Sequence, residues 1–257
     1  MPAPEPTLLL RDAAVLVTMD GAQREIRGGG LYAVGNRIAQ VGPTAELPQS
    51  ADTVIDASGM LILPGLVNTH HHLYQSLTRA VPAVQDAELF DWLRTLYSVW
   101  ARLDGEAVYV SALLAMSELL LSGCTTTTDQ LYLFPNGATV DDEIRAAGEL
   151  GMRFQPSRGG MSLGESAGGL PPDFLTEDED AILADCERLI RRYHDPRPRA
   201  MLRLTLAPTS PFSVTADLLR RSAELARRHG VTLHTHVAET LDEEAYCLAR
   251  VGMRPLA

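Results

Sequence analysis

Three of the seven histidines stand together in the sequence, as His70, His71 and His72, at the end of a predicted strand. Side chains alternate along a strand, so His70 and His72 are expected on one face and His71 on the other. Two imidazoles spaced in this way can bind one metal ion from a rigid strand end. The alternative is a solvated or hydrogen-bonded histidine cluster. We assign His71 that structural role.

A second histidine pair, His234 and His236, lies in a later predicted strand and is followed by Glu239. We expect His236 at the mouth of the site and His234 deeper. A carboxylate just beyond a metal-binding histidine can take a proton from the attacking water and deliver it to the leaving group. The spacing of His236 and Glu239 alone is a weak signal, but joined to the pair His70 and His72 it predicts a site that only the folded chain assembles.

The nature of the predicted ligands indicates which metal the site would hold. Neutral imidazoles with an oxygen ligand suit zinc, with iron(II) or manganese as alternatives. The sequence contains no lysine, because all 22 basic residues are arginines. A carboxylated lysine therefore cannot bridge two metal ions, and the predicted fourth strand has no glutamate. We expect a single divalent metal ion.

Composition restricts the classes of protein to which the chain can belong. The 257 residues are 46% hydrophobic and 21% charged, which is typical of a globular protein. No apolar run is long enough for a membrane span, and we expect a cytoplasmic protein. The net charge of −11 speaks against binding to nucleic acid or to an anionic membrane. Three widely spaced cysteines predict buried thiols rather than disulfides.

The elements that must position the histidines change character near Pro64. Before it, short β-rich runs predict a small β-domain over residues 1–62. After it, five strand-helix units follow over residues 63–257, which predicts an α/β fold with a parallel sheet. Neither GxGxxG nor GxxxxGK[ST] occurs, so the histidines at strand ends favour the first part of a (β/α)8 TIM-type barrel over a doubly wound sheet.

Two local sequence signals concern one helix start and one loop. Thr176 and Glu179 predict a capping box at the start of a helix. Residues 157–175 contain many glycines and prolines, which predicts a long loop of the kind that is often functional.

The sequence resembles the amidohydrolase superfamily, in particular the branch of cytosine-deaminase-like enzymes and triazine hydrolases that includes the 8-oxoguanine deaminases. The superfamily signatures are PGLVNTHHH and LHTHVAET, and the subgroup is indicated by HHHLYQSLTRAVP, CTTTTDQLYLFPNG, MSLGESAGGLPPD and APTSPFSV. The resemblance implies a metal-dependent hydrolase barrel preceded by part of a composite β-sandwich. It also implies hydrolysis of a C–N bond in an amino-substituted purine, from 8-oxoguanine to urate and ammonia.

Carried over residue by residue, the resemblance implies metal ligation by His70, His72 and His236, with Glu239 as the proton shuttle. Gln75 is a candidate for binding the purine edge, with a purely structural amide as the equal alternative.

For several further polar and aromatic residues, a structural role is the alternative to a role in the site. Phe90, Trp92 and Trp100 could present an aromatic face to a flat substrate, but core packing is the favoured interpretation. Arg79 is expected in a surface salt bridge rather than in the site. Asp129 is expected to support the site from behind or to accept a hydrogen bond in a turn.

Two departures from the family pattern stand out. Gln130 occupies a position where relatives often carry a histidine. Family members also continue through three more strands, which supply a histidine and a metal-ligating aspartate, so we expect this chain to be a fragment or to fold with a second chain. Homo-oligomers are a family habit.

Several alternatives to an 8-oxoguanine deaminase remain open. A triazine (hydroxyatrazine-type) or guanine aminohydrolase belongs to the same superfamily, and a catalytically incomplete half-barrel would bind metal or a partner without turnover. The other zinc class of nucleobase deaminase is excluded, since HxE with PCxxC is absent.

Overall fold

A computed structural model describes residues 4–256 of the chain. The chain divides into two compact units, Met1–Leu66 and Val67–Ala257. The sequence-based ranges 1–62 and 63–257 include residues 1–3 and 257, which lie outside the described residues. Within residues 4–256, no helix is both long and apolar enough to cross a membrane.

The first unit consists of short β-strands in two sheets. One sheet has the order β5-β4-β1-β6 and the other β3-β2-β7. Leu9, Ala13 and Leu16 are buried in this unit because alternate side chains of β1 and β2 point away from solvent. The strands are β1 Thr7–Ala13, β2 Val15–Val17, β3 Glu25–Ile26, β4 Gly29–Val34, β5 Arg37–Pro43, β6 Thr53–Asp56 and β7 Leu61–Ile62.

The second unit alternates strands with helices around one five-stranded sheet, whose order is β12-β11-β10-β9-β8. The pairs β9–β10, β10–β11 and β11–β12 are parallel. The strands are β8 Leu66–Asn68, β9 Cys124–Leu131, β10 Arg153–Gly160, β11 Thr205–Pro208 and β12 Thr232–Leu233. The helices are α1 Leu89–Trp100, α2 Gly105–Leu121, α3 Val140–Leu150, α4 Glu179–Tyr193, α5 Ala216–His229 and α6 Leu241–Val251. The predicted α/β class with five strand-helix units is confirmed.

The two faces of this sheet differ in polarity. Leu131, Leu204 and Leu206 point towards the helices and join their buried apolar side chains in one core. On the other face, Ser157 lies opposite Gln130 in one neighbouring strand and Thr205 in the other. The helix-facing surface therefore supplies the packing energy of the sheet, and the inner face is left free to carry polar groups.

The helix ends follow the signals of capping chemistry with one correction. The predicted capping box of Thr176 and Glu179 is wrong, since the side chain of Asp178 caps α4 by accepting the Ala181 N–H at 3.0 Å. The Glu179 carboxylate instead accepts hydrogen bonds from Ser162 and Thr215. Asp178 is as good a cap as threonine, so a tertiary contact decided between them.

The three cysteines are free and buried, as their spacing predicts. The guanidinium of Arg158, near the end of β10, is also buried, and it pairs with Glu177 at 2.8 Å and Asp185 at 3.0 Å.

Candidate metal centre

Three histidine side chains meet beyond the ends of β8 and β12. The Nε2 atoms lie 3.4 Å apart between His70 and His72, 3.2 Å between His70 and His236, and 3.1 Å between His72 and His236. The structure therefore brings together all three histidines that the sequence suggests as metal ligands. They are the group whose ligand atoms could hold a metal ion among the described residues.

Backbone carbonyl groups orient two of these rings. The His72 Nδ1–H donates to the carbonyl oxygen of Gln130 at 2.9 Å, and the His236 Nδ1–H donates to that of Thr209 at 3.1 Å. A ring that donates from Nδ1 in its neutral form carries a lone pair on Nε2. The Nε2 atoms of His72 and His236 consequently bring two lone pairs within 3.1 Å of each other, which is unfavourable unless a cation is bound there.

Burial keeps these two imidazoles neutral. Together with the charges of the neighbouring His236 and His70, it lowers the pKa of His72 to about 3. Burial likewise lowers the pKa of His236 to about 4. Neutral imidazole is the form that binds a metal ion, so the donor set fits a divalent metal at neutral pH.

The other two histidines of these segments do not join the three. His71 is half-buried with an Nδ1 atom that has no hydrogen-bond partner among the described residues, and burial lowers its pKa. His234 stacks on His236 with 6.3 Å between ring centroids. Its backbone N–H continues the sheet pattern by donating to Leu206.

Glu239 lies at the rim of a cavity that opens onto the three histidines. Surrounding protein raises its pKa by desolvation, and the charge of Glu243 adds to this effect. A carboxylate with a raised pKa accepts a proton more readily than an ordinary one, which suits a group that takes up a proton and then passes it on.

A buried carboxylate accepts hydrogen bonds from the backbone that carries Glu239. Glu243 is fully buried and accepts the N–H groups of Ala238 at 3.0 Å and Glu239 at 2.5 Å. Ala238 has a φ of +58°, which an alanine rarely adopts. The residue Thr240 caps α6 through its side chain, so Glu243 and Thr240 together fix the start of this helix.

The cavity has a volume of about 350 Å³, within the range of small-molecule sites. Aromatic side chains form much of its wall. Among them, Tyr97 and Tyr132 were not predicted from the sequence. Tyr132 could have been found, because strand alternation places it on the same face as Gln130. The lining residues are His70, His72, Gln75, Ala87, Leu89, Trp92, Leu93, Tyr97, Tyr132, Thr209, Ser210, Phe212, His236 and Glu239.

The three aromatic residues expected in the core do not all lie there. Trp100 is fully buried and donates its Nε1–H to Thr78 at 3.1 Å, and Phe90 packs against Phe212. Trp92, in contrast, reaches the cavity wall. Residues 157–160 of the predicted loop 157–175 instead complete β10, and no residue of the whole segment lines this wall.

The amide of Gln75 is fixed in the cavity wall by two tyrosines. Its Nε2 group donates to the hydroxyl oxygens of Tyr74 and Tyr132, both at 3.2 Å. Both amide hydrogens are thereby engaged, which leaves Oε1 as the atom with which Gln75 can accept a hydrogen bond from a bound molecule.

Two polar residues lie outside the cavity wall. Asp129 is fully buried and accepts the N–H of Leu73 at 2.5 Å. Leu73 is the residue that directly follows His72 in the chain. Arg79 forms a solvent-exposed salt bridge to Glu118 at 2.7 Å, as expected.

Comparison with known proteins identifies relatives of this chain. It is 49% identical over 248 residues to the 8-oxoguanine deaminase of Pseudomonas aeruginosa, covering 95% of this chain and 55% of that protein. It is 37% identical over 244 residues to the hydroxydechloroatrazine ethylaminohydrolase of Pseudomonas sp. strain ADP, covering 93% of this chain and 50% of that protein. The chain thus spans about half the length of the curated relatives it matches.

A solved structure gives the same answer for the fold. The zinc complex of atrazine chlorohydrolase from Arthrobacter aurescens TC1 superposes with a TM-score of 0.90 at 33% identity, covering 97% of this chain and 56% of that one. The five-stranded parallel sheet of the second unit is thus a half-barrel of the amidohydrolase fold. The family model for the amidohydrolase family matches residues 61–256. The predicted resemblance is confirmed, and the chain belongs to the amidohydrolase family.

Proposed function

We propose that this protein is a metal-dependent aminohydrolase that converts 8-oxoguanine and water to urate and ammonia. The observation that carries the proposal is the convergence of three histidine Nε2 atoms within 3.4 Å, on a cavity whose rim holds Glu239. The similarity to an 8-oxoguanine deaminase supports the choice of substrate.

In this proposal, His70, His72 and His236 hold one divalent ion, with zinc favoured by the imidazole donors and by the zinc complex of a related hydrolase. A divalent ion bound to three imidazoles would lower the pKa of water and so provide hydroxide near neutral pH. The neutral state of His72 and His236 favours this binding.

The residues of the chain would then handle protons and orientation. Glu239 takes a proton from water as its oxygen adds to the ring carbon that bears the amine. It passes this proton to the adjacent ring nitrogen. It then takes the second proton from the added hydroxyl and gives it to the amine, so that the C–N bond breaks and ammonia leaves. Gln75 accepts a hydrogen bond from a ring N–H through Oε1, since both hydrogens of its amide are engaged by tyrosines.

The apolar part of the cavity suits a flat heterocycle. Trp92, Tyr97 and Phe212 provide aromatic surface beside the polar end formed by the histidines. Aromatic walls bury the faces of a ring, while a few polar groups fix its orientation.

The two units are proposed to correspond to the predicted domains. Residues 1–62 would be the N-terminal part of a composite β-sandwich, and residues 63–257 part of a TIM-barrel hydrolase domain. A cytoplasmic location and homo-oligomerisation stay predictions.

A triazine aminohydrolase is the second candidate, because hydroxydechloroatrazine ethylaminohydrolase and atrazine chlorohydrolase are also similar to this chain. The proposed test measures ammonia release by the zinc-loaded protein from 8-oxoguanine, guanine and an amino-substituted hydroxytriazine. We expect the highest kcat/KM for 8-oxoguanine. A higher value for the triazine would replace the proposed substrate with the second candidate.

The residue roles are tested with Glu239→Gln and a matched control, Glu149→Gln, on the exposed side of α3. Loss of the proton shuttle is expected to lower kcat at least about 100-fold, whereas the control keeps the parent activity. If one metal ion per chain is bound but no compound releases ammonia, the protein is instead the non-catalytic half-barrel.

A further inference from the structure

A pair of buried carboxyl groups lies behind the candidate metal centre, on the helix-facing side of β9. Asp129 is near the end of that strand and Glu143 is on α3, and both are fully buried. Their side chains interact with each other. Neither residue lines the cavity, and the proposed reaction does not use them.

The hydrogen bonds around this pair are incomplete if both groups are ionised. Oδ1 of Asp129 accepts the Leu73 N–H at 2.5 Å. As carboxylate oxygens, Oδ2 of Asp129 and both oxygens of Glu143 have no donor among the described residues. Buried polar atoms normally have a partner, and two unpaired buried anions side by side are strongly unfavourable. One proton between them removes both problems, because an acid O–H can donate to the facing carboxylate.

The surroundings indicate which group holds the proton. Burial raises the pKa of both groups, and the charge of Asp129 raises that of Glu143 further. Asp129 has the Leu73 N–H to stabilise a negative charge, whereas Glu143 has no such donor. A carboxyl without donors in an apolar environment is the one that stays neutral.

We propose that Glu143 is kept as the neutral acid, donates a hydrogen bond to Asp129, and through this carboxyl pair positions the turn that carries His72. These are positioning residues, since neither reaches the cavity. The shared proton is independent of the proposed function, but the effect on metal binding rests on the metal site proposed above.

The path from the pair to the imidazole consists of short contacts. Asp129 holds the N–H of Leu73, while the Ser111 hydroxyl donates to the Leu73 carbonyl oxygen at 2.6 Å. The next residue of β9, Gln130, accepts the Nδ1–H of His72 at 2.9 Å, and its own N–H donates to the carbonyl oxygen of His71 at 3.0 Å. Residues 129 and 130 thus fix the backbone on both sides of His72 and the ring itself.

The proton is tested by infrared spectroscopy of the metal-free protein in D2O near neutral pH, where exposed carboxyl groups are ionised. We expect a C=O stretch of a protonated carboxylic acid that disappears in Glu143→Gln. The control Glu149→Gln, on the same helix but exposed, keeps the band. A parent spectrum without an acid band that depends on Glu143 would overturn the shared proton.

The positioning role is tested by zinc titration against a chromophoric chelator, with no substrate present. Glu143→Leu, which cannot donate, is expected to weaken zinc binding about 10- to 100-fold, as loss of a supporting partner typically does. Glu143→Gln should rescue the affinity to within about twofold, because its amide N–H replaces the acid O–H. Parent-like affinity in Glu143→Leu overturns the role. If the parent protein binds no zinc, the proposed function fails while the infrared result still decides the proton.

Discussion

The buried carboxylate of Glu243 holds the segment that carries Glu239, and its removal is predicted to lower both stability and turnover. The variant Glu243→Ala leaves the N–H groups of Ala238 and Glu239 without the acceptor that they have at 3.0 and 2.5 Å. It also releases Ala238 from a left-handed conformation that its own side chain disfavours.

The size of the effect follows from these contacts. A buried donor without a partner costs about 1–3 kcal/mol. Residues 238 and 239 are exposed, so water replaces part of the lost bonding and the expected loss in free energy of unfolding is about 1–2 kcal/mol in total. Turnover should suffer more, because a shift of about 1 Å in a catalytic group can reduce the rate about 100-fold.

Urea unfolding of the metal-free protein and ammonia release by the zinc-loaded protein measure the two effects. Glu244→Ala is the matched control, since Glu244 follows in the same helix and pairs with the exposed Arg254 at 3.0 Å. Its free energy of unfolding should change by less than about 1 kcal/mol. Parent-like stability and kcat in Glu243→Ala would refute the reasoning that this carboxylate positions Glu239.

Three further predictions concern the metal centre and its wall. Because burial lowers the pKa of His72 and His236 below that of an unfolded histidine, the unfolded state binds more protons as the pH falls below about 6.5. Urea unfolding of the metal-free protein should therefore show stability falling by up to about 1.4 kcal/mol per pH unit for each histidine, and a flat profile from pH 7 to 5 would contradict this. In the same assay, zinc at 100 times its Kd should raise the free energy of unfolding of the parent protein by about 2.7 kcal/mol, and it should not stabilise His236→Ala. Equal stabilisation of the two proteins would place the metal elsewhere. Tyr132→Phe should cost about 1 kcal/mol of stability and raise KM, because one amide hydrogen of Gln75 loses its partner, whereas an unchanged KM would argue against an orienting role for Gln75.

The sequence pattern predicts the histidine cluster well because its information is local. His70 and His72 were predicted in a strand but lie just beyond β8, which ends at Asn68. Their spacing still brings both into the cluster and leaves His71 out of it, and each of the two ligand segments is only a few residues long. The amphipathic helices and the polar caps at their starts are likewise short-range features, which is why the five strand-helix units are predicted correctly.

Features decided by contacts between distant segments could not be read in this way. Asp178 rather than Thr176 caps α4 by accepting the N–H of Ala181. The Glu179 carboxylate, which the sequence assigns to the capping box, instead accepts hydrogen bonds from the distant Ser162 and Thr215. Trp92 and Trp100 are both tryptophans of α1, yet Trp92 lines the cavity and Trp100 lies in the core. Such differences arise from how whole elements pack, which spacing along one helix does not determine.

The two segments that provide the histidines belong to strands at opposite ends of the sheet. His72 follows β8 and His236 follows β12, the first and last strands in the order β12-β11-β10-β9-β8, and 164 positions separate the two residues in the chain. An ion bound by both would close the intervening chain into a ring, whose length-dependent closure entropy is about 4.5 kcal/mol. The ion would then link the first and last strands of the sheet as well as take part in the reaction.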